Sequence, residues 1–512
     1  MLVKTYASAV TGIDAVTVTI EVNVSQGIRF FLVGLPDIAV KESQQRIESA
    51  FRTLGFRWPG KQVVINMAPA DIRKEGSSYD LPLAVGILAA SEKISGELID
   101  TFVIMGELSL DGTLQPVKGI LPIALRARDE GFHGLIVPEK NAREAAVVNG
   151  LQVFGLKNLG EVIGLLDGSH QYEPVKVDLN EIFLKQANRY EIDFSDVRGQ
   201  ESVKRALEVA AAGSHNVIMV GPPGAGKTML AKRLPTIIPP LMLEEALETT
   251  KIHSVAGKID NNTSLMTGRP FRSPHHTISD VALVGGGTFP QPGEISLAHN
   301  GVLFLDELPE FKRTVLEVLR QPLEDRIITI SRARFTVDYP ASFMLVASMN
   351  PCPCGFHNYP EKECMCSTGM VQKYLNRISG PLLDRIDIHV EVVPVRYDKL
   401  SDTCKTESSE TVRERVIKAR EIQSERFKGI NGIYSNAQMT SSMQKKYCYL
   451  DEHGSRLLKT AMDVRGLSAR AYDRILKVSR TIADLDASES IRAEHISEAI
   501  NYRNLDREGW AG

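Results

Sequence analysis

A glycine-rich segment with one lysine and one threonine is the part of the sequence best suited to bind phosphate. An apolar run, Asn216–Val220, precedes it, and a helical pattern begins at Met229. In a strand–loop–helix setting of this kind, backbone N–H groups and the helix N-terminus surround the phosphates of a nucleotide such as ATP. The segment consists of Gly221, Pro222, Pro223, Gly224, Ala225, Gly226, Lys227 and Thr228. Lys227 is expected to contact the β- and γ-phosphates, and Thr228 is expected to bind Mg²⁺.

An acidic pair follows a second apolar run. Gly301–Leu305 reads as a buried strand, and Asp306 and Glu307 come directly after it. A carboxylate at the end of such a strand suits Mg²⁺ coordination, so we assign that role to Asp306. Glu307 can polarise the attacking water. The alternative is an ordinary carboxylate pair in a turn, and the phosphate-binding loop in the same chain weighs against it.

Four of the six cysteines are crowded into a short stretch. Cys352 and Cys354 form one close pair, and Cys364 and Cys366 form the other. Four thiolates can bind Zn²⁺ tetrahedrally, and sites of this kind are structural. The alternative, four unrelated free thiols, stays open, because the spacing within each pair is shorter than the more common arrangement with two intervening residues.

The elements that position these residues form an α/β fold followed by helices. Residues 1–170 read as a mixed α/β domain, 171–192 as a polar linker, 193–394 as a second α/β domain and 395–512 as a helical domain. In the first domain, apolar and polar residues alternate from Val16 to Val24, which predicts a strand. A helix is predicted over Ile120–Asp129, and Asp80 is expected to cap another helix. The last domain shows a helical stripe of Val412, Val416, Ala419 and Ile422.

Composition and charge narrow the class of protein. The 512 residues are 43% hydrophobic and 24% charged, which is typical of a soluble globular protein of several domains. The sequence shows no secretory signal and no apolar run long enough to cross a bilayer, so we expect a cytoplasmic protein without a membrane partner. The net charge of −3 means that any binding to nucleic acid must come from local basic patches.

Several segments resemble those of the AAA+ ATPases, a family of P-loop enzymes. Asp193–Gln200 resembles the lead-in to the phosphate-binding loop, and Phe343–Asn350 resembles the sensor-1 strand. Leu382–Asp387 and Gly466–Leu476 are similar to the arginine and sensor-2 motifs of the magnesium-chelatase branch. The resemblance implies an AAA+ P-loop α/β/α domain followed by a C-terminal helical lid. It also implies that Asn350 holds water or the γ-phosphate, that Arg385 reaches the ATP of a neighbouring subunit, and that Arg470 is the sensor-2 residue.

Shorter motifs make the resemblance more specific. Arg269–Ile278, Pro351–Gly355, Gly34–Asp37 and Asp80–Leu83 are similar to segments of the YifB/ComM group of magnesium-chelatase-like ATPases, and the resemblance covers essentially the whole chain. It implies a hexameric, ATP-hydrolysing homo-oligomer that drives branch migration of recombining DNA, as in natural transformation. It also strengthens the assignment of Zn²⁺ to the four cysteines.

The first domain resembles the Lon-protease-like domain of the ribosomal S5 domain 2 fold. Gly106–Gly119 is its most similar part. Lon proteases use a serine activated by a lysine. Ser78 lies near the position of that serine, but Leu121 or Ile123 stands where the lysine belongs. We therefore expect a domain that is inactive as a protease and acts as a scaffold or a binding collar.

The residues expected to touch DNA lie in a predicted hairpin. In this branch of AAA+ proteins, inserted hairpins line a central pore, and Arg326–Phe335 alternates like a hairpin strand with Arg332 and Arg334 near its turn. Arginine binds phosphate without reading sequence, so the expected partner is branched or single-stranded DNA of any sequence. The alternative is a solvated charged hairpin.

Three other functions stay open beside a DNA motor. The first is a magnesium-chelatase-like ATPase that remodels a protein partner. The second is an ATP-dependent protease, which the missing lysine disfavours. The third is a nucleotide-switched binding module without turnover, which Asp306, Glu307 and Asn350 argue against.

Overall fold

The computed structural model describes residues 1–186, 191–260, 263–287, 290–332, 335–357, 359, 362–395, 406–430 and 432–503. The strands are β1 (Leu2–Thr11), β2 (Asp14–Ser25), β3 (Phe30–Val33), β4 (Gln62–Ala68), β5 (Phe102–Ile104), β6 (Glu107–Leu108), β7 (Leu114–Gln115), β8 (Gly134–Pro138), β9 (Gln152–Leu156), β10 (Val217–Val220), β11 (Phe271–Arg272), β12 (Gly285–Gly286), β13 (Gln291–Pro292), β14 (Val302–Leu305), β15 (Ile327–Arg332), β16 (Phe335–Pro340), β17 (Met344–Met349) and β18 (Ile388–Glu391).

The helices are spread over the whole chain and dominate its last part. The α-helices span Ile38–Lys41, Ser43–Thr53, Asp80–Ala90, Ile120–Asp129, Glu139–Ala145, Leu159–Leu166, Leu179–Gln186, Glu201–Gly213, Lys227–Arg233, Leu243–Val255, Asp280–Val284, Glu294–Leu297, Arg313–Glu317, Arg320–Asp325, Thr368–Leu375, Gly380–Leu383, Ser409–Arg426, Ser441–Tyr447, Glu452–Arg465, Ala469–Leu485 and Ala493–Asn501. Short 3-10 helices span Ser77–Tyr79, Ile99–Thr101, Phe194–Asp196, Leu234–Thr236, Leu308–Glu310 and Asn436–Gln438. Among the helices of the described residues, none combines the length and apolarity that a membrane crossing needs.

The chain divides into two compact units. The first takes in Met1–Ala187, Met242–Thr267 and Pro290–Pro292, and the second takes in the rest. The segment predicted as a linker contains the helix Leu179–Gln186. The predicted domain boundaries at 170, 192 and 394 are not decided by this division and stay a prediction.

The first unit is built on a mixed seven-stranded sheet with the order β3-β4-β2-β1-β5-β8-β9. β1 and β4 flank β2 and run antiparallel to it, whereas β5, β8 and β9 continue the sheet in parallel. The alternation predicted for β2 is confirmed, because Val18, Ile20 and Val22 are fully buried. The predicted helix Ile120–Asp129 is also confirmed.

The expected capping role of Asp80 is wrong. Asp80 is the first residue of its helix, and a 3-10 turn at Ser77–Tyr79 leads the chain into it. Its buried carboxylate instead accepts hydrogen bonds from Arg46, whose Nε and Nη2 lie 2.6 and 2.9 Å from the two oxygens. A buried charge is stable only when it is paired, and the partner comes from a distant helix.

The second unit contains a five-stranded parallel sheet with the order β11-β14-β17-β10-β18. Every residue of β10, β14 and β17 is buried, as expected for parallel strands covered on both faces. The carboxyl ends of parallel strands share one edge of the sheet. The phosphate-binding loop follows β10, Asn350 follows β17 and Asp306 follows β14, so the strand order places Asn350 between the other two.

The helical region after residue 406 packs on this sheet's helices within the same unit. The predicted stripe on Ser409–Arg426 is correct for Val412, Val416 and Ala419 but wrong for Ile422, which is 37% exposed. Gln423 takes the buried position instead. Its amide donates to the carbonyl of Ala212 at 3.0 Å and accepts the N–H of Asn436 at 2.9 Å, so a polar side chain is tolerated there.

Candidate functional site

The phosphate-binding loop joins β10 to the helix Lys227–Arg233 as predicted. Gly226, at the start of that helix, has φ +88°, a left-handed conformation that favours glycine. Gly221 has no room for a side chain, because a Cβ there would lie 2.2 Å from the carbonyl oxygen of Val392. Both glycines are therefore required by the backbone path of the loop.

Lys227 lies inside this loop. Its Nζ donates to the carbonyl oxygens of Gly221 and Pro222 at 2.7 and 2.9 Å, and to Oδ1 of Asn350 at 3.1 Å. Burial lowers the pKa of Lys227, while Asp306 and Glu307 act in the opposite direction. The structure thus brings together Lys227 and Asn350, which are 123 residues apart in sequence.

Asp306 is held by donors from three different segments. Oδ2 accepts the hydroxyl of Thr228 at 2.7 Å, and Oδ1 accepts the hydroxyl of Ser348 and the N–H of Glu307, the latter at 3.1 Å. Mg²⁺ binds oxygens at about 2.1 Å in an octahedron, which sets neighbouring ligand oxygens about 3.0 Å apart. The oxygens of Thr228 and Asp306 fit that spacing, so these two residues could hold the ion.

Glu307 differs from Asp306 in conformation and exposure. Its backbone has φ +53°, which is rare for a residue with a side chain, and its side chain is 55% exposed. Its carboxylate lies near His276, whose Nδ1 is 3.8 Å from Oε2. Glu307 is therefore half exposed, whereas Asp306 is held by three hydrogen-bond donors.

Sequence reasoning missed two residues of this site. Ser348 is a buried polar residue in the otherwise apolar strand β17, which was the available signal. Gln200 ends the lead-in segment, and its amide donates to the carbonyl oxygens of Ala225 and Val393 at 2.8 and 3.0 Å. It thereby ties the phosphate-binding loop to the end of β18, a role that no local pattern reveals.

The two arginines predicted to act on ATP, Arg385 and Arg470, pair with acidic residues outside this loop. Arg385 is buried and pairs with Glu324, and its Nη1 donates to the carbonyl of Pro381 at 2.5 Å. Arg470 pairs with Asp384 at 3.1 Å. Within the described part of the chain, neither guanidinium has a hydrogen bond or ion pair with Lys227, Thr228, Asp306 or Glu307.

The four cysteines of the predicted metal site come together. All four sulfur atoms lie within 4.8 Å of one another. The Sγ atoms of Cys352, Cys354 and Cys364 are separated by 3.3 to 3.7 Å. A tetrahedron with Zn–S bonds of about 2.3 Å has sulfur separations of about 3.8 Å, so the cluster, with Cys366, fits a tetrahedral metal.

The cysteine loop also touches the phosphate-binding loop. A Cβ at Gly355 would lie 2.4 Å from Cδ of Pro223. Gly355 has φ +87°, so both its conformation and its contact favour glycine. The cysteine loop therefore packs directly against the segment expected to bind phosphate.

The predicted DNA contacts are only partly within the described residues. β15 and β16 form the expected antiparallel hairpin, in which Arg332 pairs with Phe335. Arg332 ends β15, but its side chain, like the whole of Arg334, lies outside the described residues. Their role in DNA binding stays a prediction.

Leu121 and Ile123 stand where the resemblance to Lon proteases predicts the catalytic lysine. Ser78 is partly buried on the 3-10 turn, and Leu121 and Ile123 are both buried in the core. These apolar side chains cannot accept a proton from a serine.

Comparison with known proteins places the whole chain in one family. Residues 193–400 match the family model for magnesium chelatase, subunit ChlI, and residues 20–141 and 406–503 match models for subunit ChlI and its C-terminal part. The competence protein ComM of Haemophilus influenzae is 44% identical over 504 residues, covering 98% of this chain and 97% of ComM. YifB proteins of Salmonella typhimurium and Escherichia coli are each 44% identical over 505 residues, with the same coverage. The chain belongs to the YifB/ComM group of magnesium-chelatase-like AAA+ ATPases.

Proposed function

We propose that this ATPase is a DNA motor that promotes branch migration of recombining DNA. The observation that carries the ATPase part is the pair of contacts Lys227–Asn350 and Thr228–Asp306, which brings three strand ends together as a phosphate and metal site requires. Membership of the same group as a protein named for competence supports DNA as the substrate.

In this proposal, each residue of the site has a defined role in ATP hydrolysis. Thr228 and Asp306 would hold Mg²⁺, and the bound ion would neutralise charge on the β- and γ-phosphates. Lys227 leaves its carbonyl partners to contact those phosphates. Glu307 accepts a proton from the attacking water, and Asn350 orients that water or the γ-phosphate.

Arg385 and Arg470 act on the nucleotide of a neighbouring subunit. Arg470 pairs with Asp384, the residue before Arg385, and both arginines have partners outside the phosphate-binding loop, which supports a shared role in trans. An arginine that a neighbouring subunit supplies can raise the rate of nucleotide hydrolysis by a factor of about 10³–10⁵. Such an arrangement requires a closed ring of identical subunits, which we take to be a hexamer.

DNA passes along basic hairpins in the pore of that ring. The hairpin β15–β16 lies in sequence between the helix Arg320–Asp325 and β17, so its base is connected to the strand that Asn350 follows. Movement at the ATP site can therefore reach the hairpin through covalent connections. Arg332 and Arg334 contact phosphates of branched or single-stranded DNA without sequence preference.

The cysteine cluster holds Zn²⁺ as a structural ion. The sulfur spacing supports this, as does the fact that all four cysteines are free thiols. Bound zinc would stabilise the turn that carries Gly355, and this turn packs against Pro223 of the phosphate-binding loop. The first unit is a scaffold or binding collar without protease activity.

The test is migration of a labelled four-way DNA junction by the purified full-length protein with ATP. The control is Lys227→Ala, which removes the phosphate contact. Separation of the junction into duplexes by the wild type, and not by Lys227→Ala, supports the proposal. If the wild type does not separate the junction and its ATPase rate is the same with and without DNA, remodelling of a protein partner would be favoured instead. That second candidate is suggested by the magnesium-chelatase family models.

A further inference from the structure

The β3 edge of the seven-stranded sheet carries exposed cations. β3 is the last strand on its side of the sheet, and residues 55–61 lead into β4 beside it. Arg29 comes directly before β3, and Arg57 and Lys61 belong to the segment before β4. All three side chains are exposed, and within the residues that the structure describes none of them forms an ion pair. These cations are therefore available to an anionic ligand.

A pair of aromatic rings lies among these cations. The ring of Phe30 lies 5.9 Å from that of Trp58, and Trp58 is braced from below by the buried Phe51, at 6.0 Å between centroids. The backbone also joins the two segments, because the N–H of Val63 donates to the carbonyl of Arg29 at 2.9 Å. Trp58 keeps part of its surface exposed. The fold thus places a rigid, accessible indole beside the three cations.

The two segments that build this edge contain no acidic residue. Neither 22–36 nor 49–70 includes an aspartate or a glutamate, although the whole chain has a net charge of −3. At the ends of these segments, Glu48 pairs with Arg52 at 3.3 Å, and Asp37 caps the helix that follows it. The edge is therefore a local basic patch of the kind that a polyanion requires.

We propose that this basic edge, made of Arg29, Phe30, Arg57, Trp58 and Lys61, binds single-stranded DNA. Cations that contact phosphates, combined with aromatic rings on which bases stack, are the two elements of sequence-independent binding to single strands.

Two exposed apolar side chains enlarge the surface that can meet the faces of the bases. They are Ile28, 91% exposed, and Phe31, 42% exposed. An extended acidic peptide would match the charge of the edge, but it has no bases to stack on Trp58. The inference rests on DNA as the substrate in the proposed function, and it does not depend on ATP hydrolysis or on the hairpin β15–β16.

The experiment uses the full-length protein without ATP. Trp510→Phe removes the second of the two tryptophans, so that the fluorescence reports on Trp58 alone. The probe is a labelled oligothymidylate of about 20 nucleotides, longer than the site of one binding domain on a single strand. Stacking of a base on the indole is expected to quench the fluorescence of Trp58, and the anisotropy of the label gives the affinity.

Arg57→Gln combined with Lys61→Gln is expected to weaken binding of the oligonucleotide about tenfold. It should also reduce the slope of log affinity against log salt concentration by about 1.4, because each phosphate contact on a single strand contributes about 0.7. Both side chains are exposed, so their replacement leaves the core unchanged. The matched control is Lys93→Gln combined with Lys140→Gln, two exposed lysines elsewhere in the same unit, which should change neither value.

The inference is overturned if Trp58 fluorescence stays constant when the oligonucleotide is saturating, or if the variant Arg57→Gln, Lys61→Gln binds as tightly as the wild type. Polyglutamate that quenches Trp58 and displaces the oligonucleotide would also overturn it, because the edge would then be a docking surface for an acidic protein segment. A wild type that binds no oligonucleotide but migrates the four-way junction would overturn this inference alone. A wild type that does neither would overturn the proposed function as well.

Discussion

The guanidinium of Arg470 lies 3.1 Å from the carboxylate of Asp384, the residue before Arg385. The predicted sensor-2 arginine and the predicted trans-acting arginine are thus on the same part of the molecule. Arg474 lies one turn after Arg470 in the helix Ala469–Leu485, and it pairs with Asp387 at 3.0 Å. This second ion pair joins the same helix to the segment that carries Arg385. We therefore propose that both arginines act on the nucleotide of a neighbouring subunit.

This arrangement predicts complementation between subunits. A variant with both Arg385→Ala and Arg470→Ala should lose ATP hydrolysis by about 10³-fold or more, because both arginines are absent from every site. Mixing it with Lys227→Ala should restore part of the ATPase rate. Mixed rings contain sites with an intact loop from one subunit and both arginines from the other.

The control mixture combines Lys227→Ala with Glu307→Gln. Both changes damage the loop side of the site, so no interface is complete and no activity should return. If Arg470 acted within its own chain, the double-arginine variant would not be rescued by Lys227→Ala. Steady-state ATPase rates of the mixtures decide between these cases.

Glu307→Gln should bind ATP and hydrolyse it about 10²–10⁴-fold more slowly, because the amide cannot accept a proton from water. ATP affinity should stay near the wild-type value, since Lys227, Thr228 and Asp306 are unchanged. Glu310→Gln is the control, because it alters an exposed carboxylate that pairs with Arg377 at 2.9 Å. Near-normal turnover in Glu307→Gln would remove Glu307 from its assigned role.

Gly355→Ala should weaken ATP binding about tenfold without loss of bound metal. The new Cβ would be 2.4 Å from Pro223 and would also strain a backbone with φ +87°, so the phosphate-binding loop must shift. ATP titration and metal analysis of the same sample check the two halves of this prediction. Gly369→Ala, at a position with open space around it, should change neither. A loss of metal together with affinity would mean that the substitution unfolds the cysteine loop.

The zinc content of the purified protein can be measured directly. Elemental analysis is expected to find one equivalent of zinc per chain. The double variant Cys352→Ser, Cys364→Ser should not bind zinc, because two of the four sulfur ligands are lost. Cys448→Ser, at a buried cysteine of the helical region, should leave the zinc content unchanged. Purified wild-type protein free of zinc, and unable to take it up, would contradict the assignment.

The parts of the site that the sequence could predict are those with a local pattern. Lys227, Thr228, Asp306 and Asn350 each follow an apolar strand, and the fold brings the four together because parallel strands end at one edge. Cysteine spacing likewise anticipated the sulfur cluster. Alternation predicted β2, and helical periodicity predicted Ile120–Asp129.

The parts that could not be predicted depend on contacts between distant segments. Asp80 looked like a helix cap until Arg46, 34 residues earlier, proved to be its partner. Gln423 took the buried position expected for Ile422 because backbone groups of two other segments satisfy its amide. His276 came to Glu307 only through the pairing of β11 with β14. No local pattern contains this information.

Asp387 ties the lid to the ATPase sheet, and its charge should make stability depend on pH. Burial raises its pKa, but Arg474, His215 and the N–H of Asn216 outweigh that effect and hold the pKa well below its usual range. A carboxyl group whose pKa is depressed on folding contributes stability above its unfolded pKa of about 3.9, and that stability is lost as the pH falls further. The free energy of unfolding, measured with denaturant between about pH 6 and 3, should therefore fall steeply below pH 4. Asp387→Asn should be less stable at pH 6 and should show a shallower decline, since its amide does not titrate. Equal slopes for the two proteins would show that other carboxylates account for the acid sensitivity.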